Sequence, residues 1–506
     1  MQSLRKLVRG ITGLRNDVIK GVQAYWIQGT ASAAALAAAE EALRNFGSYD
    51  WAAEKPVASS TTTASNSTIA TVSTSSSSTS TVSTTATPSP YFFATKNGTD
   101  LATFQAFIKT LPDGGQGDQA VMDGLPWQAY STNLTAEQAQ AVANQTFVSF
   151  VVENIEGDGS EQAGAIPNAQ WLSKRVPSNV NLNERPLSDA QLRLLSTQNQ
   201  RNEQPASQLP NYLFAPSLGQ GSTIYIMDTG ANLNHIELLA GTDRTVEQLV
   251  VPNEFTLKPI PVTGQRRNLW ADENITDWNG HGTQVASVAA GVSHGVASKA
   301  NLVIVKFRNA AQNPNQPGPM IIRNSLASAV WVAWDMTIKD IIQKRANGAT
   351  GRFVVNLSYG FQREAERSEY MRNILTSAWQ NDVVFVVCAT NSPDVLYIDN
   401  RTPQVLGTPD NPLITVGGVL DTGIFDPGTA LDRGQGGSIT VYALSVDVNA
   451  ADYRTNAGSI LVPGTSVATP VVAGLAAYFF ALPSLAGQRT PGNVAMDMKN
   501  YITRYV

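Results

Sequence analysis

The sequence has very few of the residues that build disulfide or metal sites. Of its 506 residues, one is cysteine and three are histidine. A single cysteine excludes an intrachain disulfide framework and any metal centre held by several thiolates. Cys388 ends the apolar run Val383-Val-Phe-Val-Val-Cys388, so we expect a buried thiol that packs in the core.

Charge and long apolar runs are scarce as well. Charged residues make up 15% of the chain, and the net charge is −5. This balance predicts no basic surface for nucleic acid. No apolar run reaches the roughly 18 residues that a membrane span needs. The chain also begins without the apolar core of a signal peptide, which leaves two alternatives: another export route or a missing true start.

Polar and small residues dominate the N-terminal part of the chain instead. Residues 1–57 mix charged and apolar positions with an alanine-rich stretch, which predicts a helical extension. Residues 58–90 are almost entirely Ser, Thr, Ala and Pro, so a disordered linker or an O-glycosylated stalk is expected. Sequons for N-glycosylation favour the secretory route. They begin at Asn66, Asn97, Asn133, Asn144, Asn274 and Asn400.

A small folded unit is predicted at 91–153. Asp100 precedes an amphipathic helical pattern, and Thr135 with Gln138 has the spacing of a capping box that opens a second helix. Three short apolar runs alternate with these two helices. The order strand, helix, strand, helix, strand predicts a small α+β sandwich.

Residues 154–210 are polar and predict a linker. The pair Lys174-Arg175 lies in this stretch, and exposed polar linkers are where proteolytic cleavage concentrates. The pair is therefore a candidate cleavage site, with an ordinary surface pair as the alternative.

The pattern of apolar and polar residues changes at residue 211 and stays different to the end of the chain. Short β-branched runs alternate there with helical patterns, which predicts a doubly wound, mostly parallel α/β sheet with helices on both faces. The predicted strands are 222–227, 302–305, 352–355, 383–387 and 413–416. The predicted helices are 282–291, 320–345, 365–379 and 467–481.

Four polar residues stand at strand ends or helix starts of this sheet. Asp228 follows the first strand, and Asn391 follows the strand at 383–387. His281 enters a helix between two glycines, and Ser466 precedes the last long helix. Because active residues collect at the carboxyl ends of parallel strands, we expect the four to converge.

These residue types suit acyl transfer. A serine hydroxyl needs a base to take its proton, and His281 can act near neutral pH. Asp228 would fix the imidazole tautomer and stabilise the imidazolium. The Asn391 amide and the Ser466 backbone N–H would bind negative charge that develops on a carbonyl oxygen.

The motifs Asp228-Thr-Gly, His281-Gly-Thr, Asn391 and Gly464-Thr-Ser466, in this order, resemble the subtilisin family of serine proteases. The resemblance covers about 209–506. It implies a subtilisin-like fold and a serine endopeptidase with Asp228, His281 and Ser466 as catalytic residues and Asn391 in the oxyanion hole. It also implies that Ser358, Tyr359 and Gly360 line the substrate cleft, where an extended peptide would pair as an added strand.

The resemblance carries further expectations. Residues 91–153 are similar to the family's propeptide domain, which implies a zymogen cut within 154–210 and a propeptide that blocks the cleft. Protein or peptide substrates, a secreted or vacuolar location and a monomer are expected, without nucleic acid or membrane span. No cofactor is required. Structural calcium occurs in the family, but no acidic loop here has the spacing of a calcium site.

The chain departs from the family pattern at several positions. Gln284 stands where a second histidine usually follows His-Gly-Thr, and Val467, Thr469 and Val471 surround the nucleophile. We interpret these as packing positions that tune activity. The interval from Asp228 to His281 is long, which predicts an inserted loop around 251–267.

Three alternatives stay open. Ser466 could act as a simple helix cap. Asp-Thr-Gly occurs at Asp228 and again at Asp421, as in an aspartic protease whose two carboxylates share a proton. Finally, a degenerate protease could serve as a binding protein.

Overall fold

The computed structural model describes most of the chain after residue 86. The described residues are 87–96, 98–120, 128–154, 182–196, 204–252, 275–308, 310–311, 321–322, 326–350, 352–391, 397–432, 436–483, 485 and 490–505. They all belong to one compact unit. Outside them lie the predicted helical extension, nearly all of the Ser/Thr-rich linker, the predicted cleavage pair Lys174-Arg175 and most of the predicted insertion at 251–267.

Helices and strands occur throughout the described residues, from Ser89 to Tyr505. The helices are α1 Leu101–Ile108, α2 Ala136–Ala143, α3 Ala190–Ser196, α4 His281–Ala290, α5 Ala327–Ala346, α6 Ala365–Gln380, α7 Thr465–Phe480 and α8 Val494–Tyr505. The strands are β1 Ser89–Thr95, β2 Asp118–Ala120, β3 Ala129–Leu134, β4 Val148–Glu153, β5 Asn183–Arg185, β6 Tyr212–Phe214, β7 Thr223–Asp228, β8 Val246–Val250, β9 Asn301–Lys306, β10 Ala310–Ala311, β11 Ile321–Ile322, β12 Phe353–Leu357, β13 Phe361–Gln362, β14 Val383–Cys388, β15 Arg401–Thr402, β16 Ile414–Val419, β17 Val441–Leu444, β18 Val448–Ala451 and β19 Ser459–Val462.

A parallel sheet forms the centre of the molecule and confirms the predicted fold class. Its seven strands run in the order β17-β16-β14-β12-β7-β9-β8, and every pairing between neighbours is parallel. The chain winds from β7 to β9 on one side and later to β12 on the other. The carboxyl end of β7 is therefore the point where the winding changes direction, which is where doubly wound sheets bind ligands.

Both faces of the sheet are buried, as its nearly continuous apolar strands predict. Alternate residues of β7 point to opposite faces, with Ile224 and Ile226 in one core and Tyr225 and Met227 in the other. The first core contains α4 and α7, and the second contains α5 and α6. The helices that carry the candidate His and Ser thus pack on the same face.

The N-terminal part folds as an antiparallel sheet in the order β2-β3-β1-β4, with α1 and α2 in the same segment. The predicted capping box is confirmed, because Thr135 and Gln138 each bond the other's backbone N–H. Asp100 caps α1 as expected, accepting from Thr103 N–H. The short strand β2 was not predicted, since its three residues carry no apolar alternation.

One face of this small sheet packs on the central domain through aromatic rings. The rings of Phe92 and Phe150 lie 6.0 and 5.2 Å from that of Trp331 on α5. They lie 6.4 and 5.5 Å from Tyr370 on α6. Edge-to-face contacts of this kind add to the burial of apolar area. The two parts share one continuous core.

Residues 182–196 fell within the predicted linker, yet they pack against the central domain. β5 pairs with β6, and Leu192 of α3 is fully buried in the core. Asp189 lies 2.8 Å from His294 Nδ1, which ties α3 to the turn after α4. The periodic stretch around α3 spans only seven residues, Ala190–Ser196, and its contacts with the core stabilise it.

Some predicted boundaries differ from the structure. The helix predicted at 320–345 begins only at Ala327, and Ile321–Ile322 pairs as β11. Cys388 is buried as predicted. No helix in the described ranges is long and apolar enough to cross a membrane.

Candidate active site

Asp228 is the last residue of β7, at the centre of the sheet's carboxyl edge. It is 1% exposed, so its carboxylate is buried. One carboxylate oxygen accepts the backbone N–H of Thr229 at 2.7 Å. The polar group is therefore placed by a strand that is otherwise apolar and cannot shift without disturbing both cores.

The start of α4 brings His281 to this carboxylate. The backbone N–H of Gly282 donates to the Thr229 hydroxyl at 2.8 Å. A Cβ at Gly282 would lie only 2.2 Å from the carbonyl oxygen of Gly230, so the approach of the two motifs requires glycine. The backbone of Asp228-Thr-Gly thus packs directly against the backbone of His281-Gly-Thr.

His281 and Asp228 form a direct pair. His281 Nδ1 lies 2.8 and 2.9 Å from the two carboxylate oxygens, and the imidazole is 13% exposed. Burial raises the pKa of Asp228, but His281, the charge of Arg308 and the Thr229 N–H outweigh it and hold this pKa below its usual value. A charged carboxylate here fixes the Nδ1–H tautomer, which leaves Nε2 as the basic atom.

Asp277 organises the loop before His281, and sequence reasoning missed it. One of its oxygens accepts from the Thr229 hydroxyl and from the N–H of Asn279 and Gly280, at 2.9, 3.1 and 2.7 Å. The other accepts from the Thr283 N–H and hydroxyl, at 2.8 and 2.6 Å. An acidic residue four positions before a Gly-His-Gly helix entry was the available signal.

Ser466 lies one residue inside α7, which begins at Thr465 rather than at the predicted 467. The cap position belongs to Gly464, with φ +115°, so Ser466 is not the helix cap. A Cβ at Gly464 would lie 3.1 Å from Asn391 Nδ2 and 3.4 Å from Ser466 Oγ. Glycine therefore leaves open the space that these two groups face.

Asn391 follows β14 and caps α7 from a distance. Its Oδ1 accepts the N–H and the hydroxyl of Thr465, at 2.8 and 3.1 Å. Thr390 N–H in turn donates to the Thr465 hydroxyl at 3.1 Å. With its oxygen occupied, the amide directs Nδ2 toward the start of the helix, where backbone N–H groups also favour negative charge.

The two helices bring His281 and Ser466 to the same edge. Ser222, before β7, donates to the Ala477 carbonyl near the end of α7 at 3.0 Å, so α7 runs opposite to the strand and begins at its carboxyl end. α4 packs alongside, because Gly474 allows direct contact with the Ala289 backbone. Ala289 and Gly474 lie at about the same distance along α4 and α7, so the first turns of the two helices come to the same edge of the sheet.

The predicted substrate segment lies beside Ser466. Ser358 follows β12, and its hydroxyl donates to the Ser466 carbonyl at 2.7 Å. Ser358 and Tyr359 are 0% and 1% exposed, and Gly360 is buried against Gln404. A peptide alongside this segment would therefore meet backbone rather than these side chains.

The second Asp-Thr-Gly triplet does not join the site. Asp421 lies in a turn after β16, where Gly423 has φ +77°. β16 stands three strand spacings from β7, about 14 Å, so Asp421 and Asp228 cannot share a proton. The aspartic-protease alternative is wrong on this geometry.

The departures from the family pattern around Ser466 are packing positions, as interpreted. Val467, Thr469 and Val471 are at most 1% exposed. The Thr469 hydroxyl donates to the Thr465 carbonyl at 2.7 Å inside the helix. These side chains shape the core behind Ser466.

Comparison with known proteins gives consistent results. A profile described as the subtilase family matches residues 219–490. "Subtilisin-like protease 3" of Pseudogymnoascus destructans is 31% identical over 59% of this chain and 61% of its own length. "Subtilisin-like serine protease Pen ch 13" of Penicillium rubens is 24% identical over 79% of this chain and 84% of its own length.

The chain thus spans only about three fifths of the length of the Pseudogymnoascus relative. Among solved structures, the epidermin leader peptide processing serine protease from Staphylococcus aureus aligns with a TM-score of 0.51. It is 16% identical, over 81% of this chain and 91% of that one. At this identity the likeness concerns the fold.

Proposed function

The chain belongs to the subtilase family, and we propose that it is a serine endopeptidase that hydrolyses peptide bonds through an acyl-enzyme on Ser466. The observation that carries this proposal is the contact of His281 Nδ1 with both oxygens of Asp228, at 2.8 and 2.9 Å. A buried carboxylate aimed at an imidazole is what activation of a serine requires.

In the proposed reaction, His281 Nε2 takes the Ser466 hydroxyl proton while Oγ attacks the substrate carbonyl carbon. The Asn391 amide and the Ser466 backbone N–H donate to the oxyanion that forms. His281 then gives its proton to the leaving amine, which breaks the peptide bond. Water, activated by His281, hydrolyses the ester and restores Ser466. Asp228 stays ionised throughout and stabilises the imidazolium. No cofactor takes part in these steps.

The N-terminal domain at 87–154 fits an intramolecular inhibitor in this proposal. It is joined to the catalytic part through the buried rings of Phe92 and Phe150, and Asn154 Oδ1 accepts from the Ser328 N–H and hydroxyl at 3.1 and 2.9 Å. We propose that the protein is made as a zymogen, acts as a secreted or vacuolar monomer and takes proteins or peptides as substrates.

Active-site labelling tests the catalytic proposal. A serine-directed fluorophosphonate should block hydrolysis of casein and label the peptide that contains Ser466. Ser466→Ala should lose the label and nearly all activity, and keep only the residual rate that substrate binding and the oxyanion hole contribute. Casein cleavage by Ser466→Ala at the parent rate would refute the mechanism and favour a binding protein or another site.

Maturation is tested by N-terminal sequencing of the active form. Since β5 and α3 pack into the catalytic core, we expect the mature chain to retain 182–196. A mature N-terminus before residue 91 would contradict the zymogen proposal.

A further inference from the structure

Arg308 is a buried cation beside the site with no step in the proposed reaction. It follows β9 and is 5% exposed. β9 lies on one side of β7, whereas β12, which leads to Tyr359, lies on the other. The Arg308 guanidinium carbon nevertheless lies 5.1 Å from the centre of the Tyr359 ring. The side chain therefore spans the carboxyl end of β7, where Asp228 lies.

Arg308 is also bonded to Asp228 through the backbone. The N–H groups of Phe307 and Arg308 donate to the Asp228 carbonyl at 3.0 and 3.3 Å. Burial raises the pKa of Asp228, and the charge of Arg308 is among the influences that lower it, after His281. Arg308 thus touches the strand end of Asp228 and acts electrostatically on its carboxylate.

Tyr359 links Arg308 to the nucleophile. The ring is 1% exposed and meets Phe307 and Phe361 edge-on, at 5.5 and 5.1 Å between centroids. The next residue back, Ser358, donates its hydroxyl to the Ser466 carbonyl. A cation on the ring face adds attraction to this packing. Fixing Tyr359 therefore also fixes the residue that contacts Ser466.

We propose that Arg308 is a positioning residue that couples the two halves of the site. Its charge favours the ionised form of the Asp228 carboxylate, alongside the larger effect of His281, and its stacking on Tyr359 holds the segment that contacts Ser466. This role rests on the proposed endopeptidase function. Because a cation near His281 disfavours the imidazolium, loss of the charge should let His281 take up its proton at higher pH.

Two other charged side chains near the Asp228–His281 pair, Lys306 and Asp277, are held by hydrogen-bond partners other than Arg308. Lys306 is buried, and its Nζ donates to the Thr276 carbonyl at 2.7 Å. The Asp277 carboxylate accepts hydrogen bonds from the backbone N–H groups of Gly280 and Thr283. A change in titration on substitution at 308 would therefore report the charge at that position.

The kinetic test compares Arg308→Met, which removes the charge, with Arg308→Lys, which keeps it and loses the planar group. The readout is the pH profile of kcat/KM on a chromogenic peptide. Arg308→Met should move the acid limb upward by several tenths of a pH unit, and Arg308→Lys should leave it in place. Tyr359→Leu should change kcat and KM without moving the limb.

A second measurement does not depend on activity. In the full chain carrying Ser466→Ala, the imidazole NMR signals of the three histidines are titrated with and without Arg308→Met. The midpoint of His281 should rise, while that of His294 stays as the internal control. Arg308→Gln takes the place of Arg308→Met if the latter fails to fold. Unchanged midpoints for His281 would overturn the inference even in an active enzyme, whereas an inactive parent would overturn the proposed function alone.

Discussion

Asn391 Oδ1 is bonded to both the backbone N–H and the hydroxyl of Thr465, at 2.8 and 3.1 Å. The asparagine thus replaces a local helix cap with one from another part of the chain. Its carbonyl is occupied by the helix, and its Nδ2 lies beside Gly464 at the start of that helix. In the proposed mechanism the same residue therefore anchors the helix that carries Ser466 and offers an oxyanion donor.

Asn391→Leu should lower kcat by about 10²–10³-fold with little change in KM, as loss of one such donor does in subtilisin. The physical reason is that the donor stabilises charge present only in the transition state. Thr465→Val is the control, because it removes one bond to Asn391 and keeps Nδ2. A loss as large in Thr465→Val would indicate that structural damage, rather than the missing donor, explains the effect.

Asp228→Asn should lower kcat/KM by about 10⁴-fold, because an amide can hold the imidazole in the wrong tautomer. The carboxylate stays charged at neutral and mildly acidic pH, since His281, Arg308 and the Thr229 N–H outweigh burial and lower its pKa. Kinetics on a peptide substrate check this. A near-normal rate in Asp228→Asn would remove Asp228 from the mechanism.

The His294–Asp189 pair should make stability depend on pH. Burial lowers the pKa of His294, but Asp189 and Glu237 outweigh it and raise this pKa above its ordinary value. Its stabilisation is therefore complete below about pH 6.5, the ordinary value of histidine, and is lost as pH rises through the folded-state value.

Thermal unfolding of Ser466→Ala, which avoids self-digestion, should accordingly show a Tm that falls as the pH rises through the folded-state pKa of His294. His294→Asn in the same background should flatten the dependence. An equally steep fall in His294→Asn would assign the effect to other groups.

Phe150→Ala should weaken the contact between the N-terminal domain and the central domain. The ring is 6% exposed and contacts Trp331 and Tyr370, so its loss should cost about 3–5 kcal/mol. Hydrogen exchange of the full chain should increase in α5 and α6. Phe107→Ala, inside the N-terminal domain's own cluster, should affect that domain first. Unchanged exchange in α5 and α6 would show that this contact contributes little.

The sequence predicts what depends on local pattern. The strands of the parallel sheet came from their apolar β-branched runs, and the capping box at Thr135 from its spacing. The convergence of Asp228 and His281 was predictable because strand ends and helix starts meet at the carboxyl edge of such sheets. Their contact then follows from the complementary backbone of two short motifs.

What the sequence did not predict depends on distant partners. The start of α7 at Thr465 is fixed by Asn391, which comes from another strand. Asp189, just before the helix at Ala190–Ser196, bonds the distant His294, and the role of Asp277 appears only when Thr229 and Thr283 are brought to it. Local patterns carry no information about such contacts.

The cap at the start of α5 has a consequence for the lifetime of the proposed mature enzyme. α5 is the longest helix in the described ranges, at 20 residues, and its own cap position contributes no side-chain bond. Asn154 of the N-terminal domain supplies it. A mature enzyme without that domain would unfold into a chain that lacks the asparagine which caps α5, so refolding would be impaired. Its durability would then be governed by the height of the barrier to unfolding, and a lost molecule would not be recovered.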